Sequence, residues 1–140
     1  MGRSLSRVAL DTSALIYLVE GSPTLRAKIL DRIADVLRER DGDVIACRLA
    51  RLECRVRPLR AADDVLLASY DAIFAAARFS FVELTASVVE RATALRAEQG
   101  FKTPDALHLA AAIESSAVSF VTGDVQLARC RDVRVEVVGP

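Results

Sequence analysis

Four acidic residues stand where apolar, strand-like runs end or where helices begin. Asp11 ends the run "VALD", Asp124 ends "FVTGD", Asp105 lies in "KTPDALHLA" and Glu53 lies in "LARLECRVRPLR". Each has an ordinary structural explanation, because the aspartates could cap or begin helices and Glu53 could be a surface acid paired with arginine. Taken singly, none of the four identifies a functional site.

The same four acids are more informative as a group. Asp11 and Asp124 each follow a strand-like run, so in a parallel sheet both would reach the edge where ligands bind. Two unit charges about 5 Å apart repel by about 3 kcal/mol at an effective dielectric of about 20. A fold that gathers such carboxylates needs a cation among them, or must protonate some of them. Oxygen ligands without paired histidines or thiolates favour Mg²⁺ or Mn²⁺, and the sequence predicts such a site.

Short strand-like runs alternate with longer helical patterns along the chain. Strands are predicted over residues 8–10, 44–46, 79–84, 118–121 and 133–138. Helices are predicted over residues 13–20, 25–40, 49–56, 61–77, 87–99 and 103–115, with Pro58 and Gly100 as stop signals. This alternation is typical of an α/β domain whose parallel sheet is covered on both faces. We expect residues 1–140 to form a single domain.

The composition excludes several classes of protein. Hydrophobic residues make up 52% of the chain and charged residues 27%, which is typical of a compact domain and not of a disordered one. The formal net charge is zero, so no overall field favours a polyanionic partner. Cys47, Cys54 and Cys130 are odd in number and lack a C-x-x-C spacing, which favours free thiols and a cytoplasmic location. No apolar run is long enough to cross a membrane.

The basic residues are unevenly distributed. The chain has 17 arginines and two lysines, and five of the arginines fall within the thirteen residues 48–60, which contain one acid, Glu53. Guanidinium groups bind phosphate well, so this segment is a candidate contact for a nucleic acid. The alternative is a solvated helix face whose arginines pair with acids of the same chain. The five arginines are Arg48, Arg51, Arg55, Arg57 and Arg60.

Four segments resemble, in order and spacing, the motifs of PIN-domain proteins, and most closely those of VapC-type toxins of bacterial toxin–antitoxin pairs. The segments are "VALDTSALIYLVEG", "LARLECRVRPLR", "KTPDALHLAAAI" and "FVTGD". The resemblance implies a three-layer α/β/α fold with a central, mainly parallel sheet of about five strands. The family usually has Asn where this chain has Gly123, so the last motif departs from the pattern while keeping its acid.

The resemblance also implies an activity, that of a metal-dependent endoribonuclease acting as a toxin. Asp11, Asp105 and Asp124 would hold one or two Mg²⁺ or Mn²⁺ ions, and Glu53 would orient the attacking water or act as its base. Hydrolysis would leave a 5′-phosphate and a 3′-hydroxyl. Supporting hydroxyls would come from Thr12, Ser13 and Thr122. For His108, three residues after Asp105, a supporting or packing role is favoured over that of a ligand or substrate contact.

The implied partners are a cognate antitoxin and an RNA substrate, with assembly as a homodimer and as a toxin–antitoxin hetero-oligomer. Contacts to RNA or antitoxin are expected from Arg48, Arg51, Arg55 and Arg57. The apolar helices at 25–37 and 65–77 are candidate groove walls or dimer surfaces, with core packing as the alternative. The sequence leaves open which RNA is cut and how many metal ions bind.

Other proteins also begin with a strand that ends in aspartate. A haloacid-dehalogenase phosphotransferase needs a second acid two residues later, where this chain has Ser13. A receiver domain needs an acidic pair before its aspartate and a suitably placed lysine, and neither Lys28 nor Lys102 is so placed. The further alternatives are a PIN-fold nuclease of RNA processing and a non-catalytic PIN-like binding domain. The presence of all four acids argues against the last of these.

Overall fold

The computed structural model describes residues 6–139, which form a five-stranded parallel sheet between two layers of helices. The strands are β1 (Arg7–Leu10), β2 (Asp43–Cys47), β3 (Phe79–Val82), β4 (Ser119–Thr122) and β5 (Val135–Val137). The helices are α1 (Thr12–Glu20), α2 (Pro23–Leu37), α3 (Leu49–Arg60), α4 (Asp64–Phe74), α5 (Ala86–Gln99) and α6 (Thr103–Glu114). A 3₁₀ helix covers Val125–Arg129. This architecture confirms the predicted α/β/α fold class.

The strand order β3-β2-β1-β4-β5 places β1 at the centre of the sheet. Ala9 of β1 pairs with Ile45 of β2 on one side and with Phe120 of β4 on the other. Strands β2 and β3 are therefore added on one side of β1, and β4 and β5 on the other. The order of the strands reverses between β1 and β4. At such a switch point, the carboxyl ends of parallel strands open a crevice that accepts ligands. The loops that follow β1 and β4 meet at this crevice.

Each face of the sheet is covered by its own hydrophobic core. Helices α1 to α4 pack on one face, against strand residues such as Leu10 and Val121. Helices α5 and α6 pack on the other face, against residues such as Ala9 and Phe120. Successive strand residues point to opposite faces, and here both faces are buried. For this reason the central strands are apolar without alternation in the sequence.

Helix α3 is longer than the sequence predicts. It contains Pro58 in its last turn and ends at Arg60, although the proline is expected to stop the helix near residue 56. Proline lacks an N–H donor, but its fixed φ is compatible with a helix, and the ring of Pro58 is buried. The turn after the helix is formed instead at Ala62, which has a φ of 52°.

Helices α2 and α4 are shorter than the sequence predicts. Asp63 caps α4 by accepting a hydrogen bond from the backbone N–H of Leu66, so the preceding residues form the turn and not the helix. The end of α2 is fixed by Arg78, a residue outside this helix. Its guanidinium donates to the backbone carbonyls of Leu37, the last residue of α2, and of Gly42 in the turn that follows. The start of α4 and the end of α2 are thus set by side-chain hydrogen bonds, which the spacing of apolar residues in the sequence does not predict.

None of the helices within residues 6–139 combines the length and the apolar composition needed to cross a membrane. The three cysteines are free and buried. Burial raises the pKa of the Cys54 thiol to about 12, so this thiol stays protonated at neutral pH. Cys54 is therefore a packing residue and not a nucleophile.

Candidate active site

The four acids line one cleft of about 270 Å³ at the switch point of the sheet. Asp11 follows β1, Asp124 follows β4, Asp105 lies in the first turn of α6, and Glu53 lies on α3. The other lining residues are Thr12, Ser13, Ile16, Pro104 and His108. The pairing of β1 with β4 thus brings together residues from opposite ends of the chain.

The carboxylate of Asp11 is buried, and both of its oxygens accept hydrogen bonds. Oδ1 accepts from the Ser13 hydroxyl at 2.6 Å and from the backbone N–H of Ala14 at 2.9 Å. Oδ2 accepts from the Thr122 hydroxyl at 2.5 Å. These three donors offset the cost of removing a charge from water. Asp11 is therefore the N-cap of α1 and a lining residue of the cleft at the same time.

The hydroxyls of Ser13 and Thr122 connect the two loops that carry Asp11 and Asp124. The backbone N–H of Gly123 donates to Ser13 Oγ at 2.8 Å, and that of Asp124 donates to Thr122 Oγ1 at 3.0 Å. The side chain of Asp124 is exposed and caps the 3₁₀ helix that follows it. Through these bonds the two hydroxyls fix the relative position of the loops.

Gly123 is a position at which a side chain does not fit. A Cβ there would lie 2.5 Å from Cε2 and 2.7 Å from the hydroxyl oxygen of Tyr17 on α1. The half-buried Tyr17 ring therefore fills the space that a side chain at position 123 would need. Nothing in the sequence marks Tyr17, since one aromatic residue in an apolar helix has no signature of its own.

Glu53 is held by side chains from two other helices. Thr12 Oγ1 donates to Glu53 Oε1 at 2.6 Å, and His108 Nε2 lies 2.7 Å from the same oxygen. The hydrogen bond from His108, followed by that from Thr12, lowers the pKa of Glu53, although partial burial acts in the opposite direction. Glu53 is therefore ionised at neutral pH.

His108 is almost fully buried, and within residues 6–139 its Nδ1 has no hydrogen-bond partner. A proton on Nδ1 would be a buried donor without an acceptor, which costs about 1–3 kcal/mol. We therefore assign the tautomer with its proton on Nε2, which donates to Glu53. The sequence places His108 on the same helix face as Asp105, but it does not reveal the bond to Glu53.

Asp105 lies close enough to other acids for their charges to act on it. Burial raises its pKa, and the charges of Asp124 and Asp11 raise it further. The charge of Lys102 acts in the opposite direction. The carboxylates of the cleft therefore repel one another in the absence of a cation.

The oxygen donors of the cleft are of the type that a hard divalent cation takes. Within residues 6–139, however, no group of three or more histidine, cysteine or acidic side chains is arranged so that it could hold a metal ion by itself. Both oxygens of Asp11 are already hydrogen-bonded. Mg²⁺ usually keeps several waters in protein sites, so a partly hydrated ion is the form that matches these carboxylates.

The four arginines expected to contact RNA or antitoxin each pair with an acid of the same chain. The ion pairs are Arg48–Glu83 at 2.5 Å, Arg57–Glu20 at 3.0 Å, Arg55–Asp71 at 2.9 Å and Arg51–Asp71 at 3.8 Å. This arrangement matches the alternative interpretation of the segment, a helix face with intramolecular pairs. Contact of these arginines with RNA or antitoxin stays a prediction.

The outer face of α3 carries an exposed apolar groove of about 440 Å³. Its lining includes Leu52, Val56, Leu59 and Leu84, which are between 40% and 59% exposed. The two helices predicted as groove walls, α2 and α4, border a smaller apolar cleft of about 170 Å³. A contiguous exposed apolar surface is a candidate contact area for another protein.

A model of the PIN domain family matches residues 8–133, and the chain belongs to this family. The family assignment decides against the phosphotransferase and receiver-domain alternatives. A comparison with curated protein sequences found no match.

Solved structures of toxin–antitoxin proteins share the fold. VapBC2 of Rickettsia felis, bound to a promoter DNA fragment, matches over 93% of this chain and 97% of that chain, with a TM-score of 0.75 and 17% identity. VapC20 of Mycobacterium tuberculosis, a sarcin–ricin loop cleaving toxin, matches over 91% and 98%, with a TM-score of 0.66 and 15% identity. A toxin–antitoxin complex from Klebsiella pneumoniae matches over 90% and 94%, with a TM-score of 0.62 and 20% identity.

Replacing Gly123 by alanine should destabilise the protein, because the new Cβ would overlap the Tyr17 ring. We expect a loss of about 1–3 kcal/mol in the free energy of unfolding, measured by urea denaturation. In a Tyr17→Ala background the same substitution should cost less, since the ring is no longer there. Equal costs in the two backgrounds would show that the clash is not with Tyr17.

Proposed function

We propose that this protein is a metal-dependent endoribonuclease that acts as the toxin of a toxin–antitoxin pair. The observation that carries the proposal is the meeting of Asp11, Glu53, Asp105 and Asp124 in one cleft. Membership of the PIN domain family supports it. So does the fold shared with VapBC2, with a sarcin–ricin loop cleaving toxin and with a toxin–antitoxin complex.

Asp11, Asp105 and Asp124 are the residues that would hold Mg²⁺ or Mn²⁺. When bound, one or two such ions supply positive charge beside the scissile phosphate and make a nearby water more acidic. Asp11 is fixed in advance, because hydroxyls of Ser13 and Thr122 hold its two oxygens. Asp124 accepts one backbone hydrogen bond, from Gln126 to its Oδ1. The Asp105 carboxylate accepts none from residues 6–139, so it can adjust to a ligand.

Glu53 is the proposed base for the attacking water. Thr12 and His108 both contact Oε1, and no hydrogen bond to Oε2 occurs within the described part of the chain. Oε2 is therefore available to accept a proton. The lowered pKa of Glu53 keeps it ionised before the reaction. In-line attack on the phosphorus would then leave a 5′-phosphate and a 3′-hydroxyl.

The proposal includes a cognate antitoxin and a second copy of the chain as protein partners. The apolar groove on α3 lies on the helix that carries Glu53. A chain bound in this groove would therefore contact the helix that positions Glu53. The proposed location of the toxin is the cytoplasm, where its RNA substrate is found.

Replacing Asp105 by asparagine should slow RNA cleavage by about 100-fold or more, because a charged metal ligand is lost. Cleavage is measured on total bacterial RNA by mapping new 5′ ends, and circular dichroism verifies the fold. Asp31→Asn, which changes an exposed aspartate of α2, is the matched control and should keep full activity. Full activity of the Asp105 variant would refute its assignment, and absence of cleavage by the unmodified protein would refute the proposed function.

Millimolar Mg²⁺ or Mn²⁺ should raise the melting temperature, because a cation relieves repulsion among the cleft carboxylates. An ion at ten times its Kd adds about 1.4 kcal/mol to the free energy of unfolding. Differential scanning calorimetry with and without the ion measures the shift, which should be smaller for Asp105→Asn. An unchanged melting temperature in the unmodified protein would count against a metal site.

Replacing His108 by leucine should lower kcat about tenfold or more with little change in KM, because Glu53 loses the donor that orients it. His108→Gln keeps an N–H group near the position of Nε2 and should recover part of the lost kcat. Steady-state cleavage of a short RNA measures both constants. If the leucine and glutamine variants lose the same activity, His108 serves packing alone.

A further inference from the structure

Most arginines of residues 48–60 already pair with acids of the chain. Arg51 and Arg55 share the single carboxylate of Asp71, and Arg48 pairs with Glu83. A phosphate that approached these arginines would have to compete with those carboxylates. Arg60 has no carboxylate partner within residues 6–139, so the segment is compensated only in part.

A group of cations without carboxylate partners lies around the turn between α5 and α6, close to the acids of the cleft. We call this surface the α5–α6 corner and define it by Arg96, Lys102 and Arg129. All three side chains belong to exposed residues. Within residues 6–139, none of the three lies within ion-pair distance of a carboxylate. The corner therefore keeps its charge, although the net charge of the chain is zero.

The two arginines of the corner are held in place by neutral groups. The guanidinium of Arg129 lies 4.1 Å from the centroid of the Phe101 ring and donates to the backbone carbonyl of Gln99. The guanidinium of Arg96 donates to the hydroxyl of Thr103. These contacts restrict the side chains without neutralising them, and further N–H groups of each guanidinium stay available.

The corner adjoins the acidic cleft. Lys102 is the N-cap residue of α6, three positions before Asp105, and its charge acts on that carboxyl group. Arg129 ends the 3₁₀ helix that Asp124 begins. A polyanion whose scissile phosphate lies at the acids would therefore extend over these cations. Since Phe101 is buried beneath Arg129, the corner offers a partner mainly charge and little apolar area.

We infer that the α5–α6 corner binds the phosphate backbone of the RNA strand next to the cleavage site. This inference rests on the proposed function of the cleft. Four carboxylates repel an approaching phosphate chain, and adjacent cations offset this repulsion. Guanidinium groups bind phosphate oxygens with two parallel hydrogen bonds, which positions the strand as well as attracting it.

The test measures binding of a fluorescein-labelled, single-stranded RNA 12-mer by fluorescence anisotropy at several salt concentrations. An Asp105→Asn background slows cleavage during the measurement. Neutralising two cations, in Arg96→Gln/Lys102→Gln, should weaken binding about tenfold at low salt. It should also flatten the slope of log K against log salt by about 1.4, at about 0.7 for each lost contact to a single strand. Arg129 is kept because it covers Phe101.

The matched control is Arg26→Gln/Arg40→Gln, which removes two exposed arginines from α2 and the turn after it. Within residues 6–139 neither forms an ion pair with a carboxylate, and α2 packs on the opposite face of the sheet from α5 and α6. This variant should keep the parental slope. If the corner variant Arg96→Gln/Lys102→Gln does not fold, Lys102→Gln alone replaces it in the test. This variant removes one charge and should flatten the slope by about 0.7.

Three results would overturn the inference. These are an unchanged slope in the corner variant, an equal loss in the control variant, and no RNA binding by the parent. A fourth result concerns a poly-glutamate peptide, which stands in for an acidic protein. If the corner variant loses binding to this peptide but binds RNA as the parent does, the corner is a site for an acidic protein and not for RNA. If the unmodified protein cleaves no RNA but the corner variant shows the flattened slope, the proposed function fails and the binding surface stands.

Discussion

The cleft depends on holding one carboxylate inside the domain. Asp11 is buried at the carboxyl end of the central strand, where an unpaired charge would be very costly. Its donors come from the first turn of α1 and from Thr122 at the end of β4, so this carboxylate ties two neighbouring strands together at their ends. The loop after β4 also carries Asp124, and Glu53 and Asp105 join the cleft from α3 and α6. The geometry of the site is therefore part of the structural core and not an addition to its surface.

The positions of the acids could be predicted because they follow from local sequence and one topological rule. Asp11 and Asp124 each follow an apolar run, and in a parallel sheet such positions share an edge. In the sequence, helix capping and participation in a site are competing interpretations. The structure makes them compatible, since Oδ1 of Asp11 caps α1 while the residue lines the cleft.

Contacts between distant segments could not be predicted. The partners of Glu53, Thr12 and His108, are 41 and 55 residues away in the sequence. The pairing of Arg48, Arg55 and Arg57 could not be predicted either, because their acids lie 16 to 37 residues away in the sequence. The ends of α2, α3 and α4 differ from the prediction for a related reason, because hydrogen bonds of Arg78 and Asp63 and the burial of Pro58 set them. The spacing of residues along the sequence predicts which of them share a helix face, but it does not predict which side chains from distant segments contact each other.

During synthesis on the ribosome, β1 emerges before the strand that completes its environment. Ala9 pairs with Phe120, so β4 must be made before the two strands can associate. Until then the second carboxylate oxygen of Asp11 lacks its donor, Thr122, and the loop that carries Asp124 does not exist. Non-local pairing of this kind is formed late in folding. A nascent chain without β4 therefore has no assembled cleft.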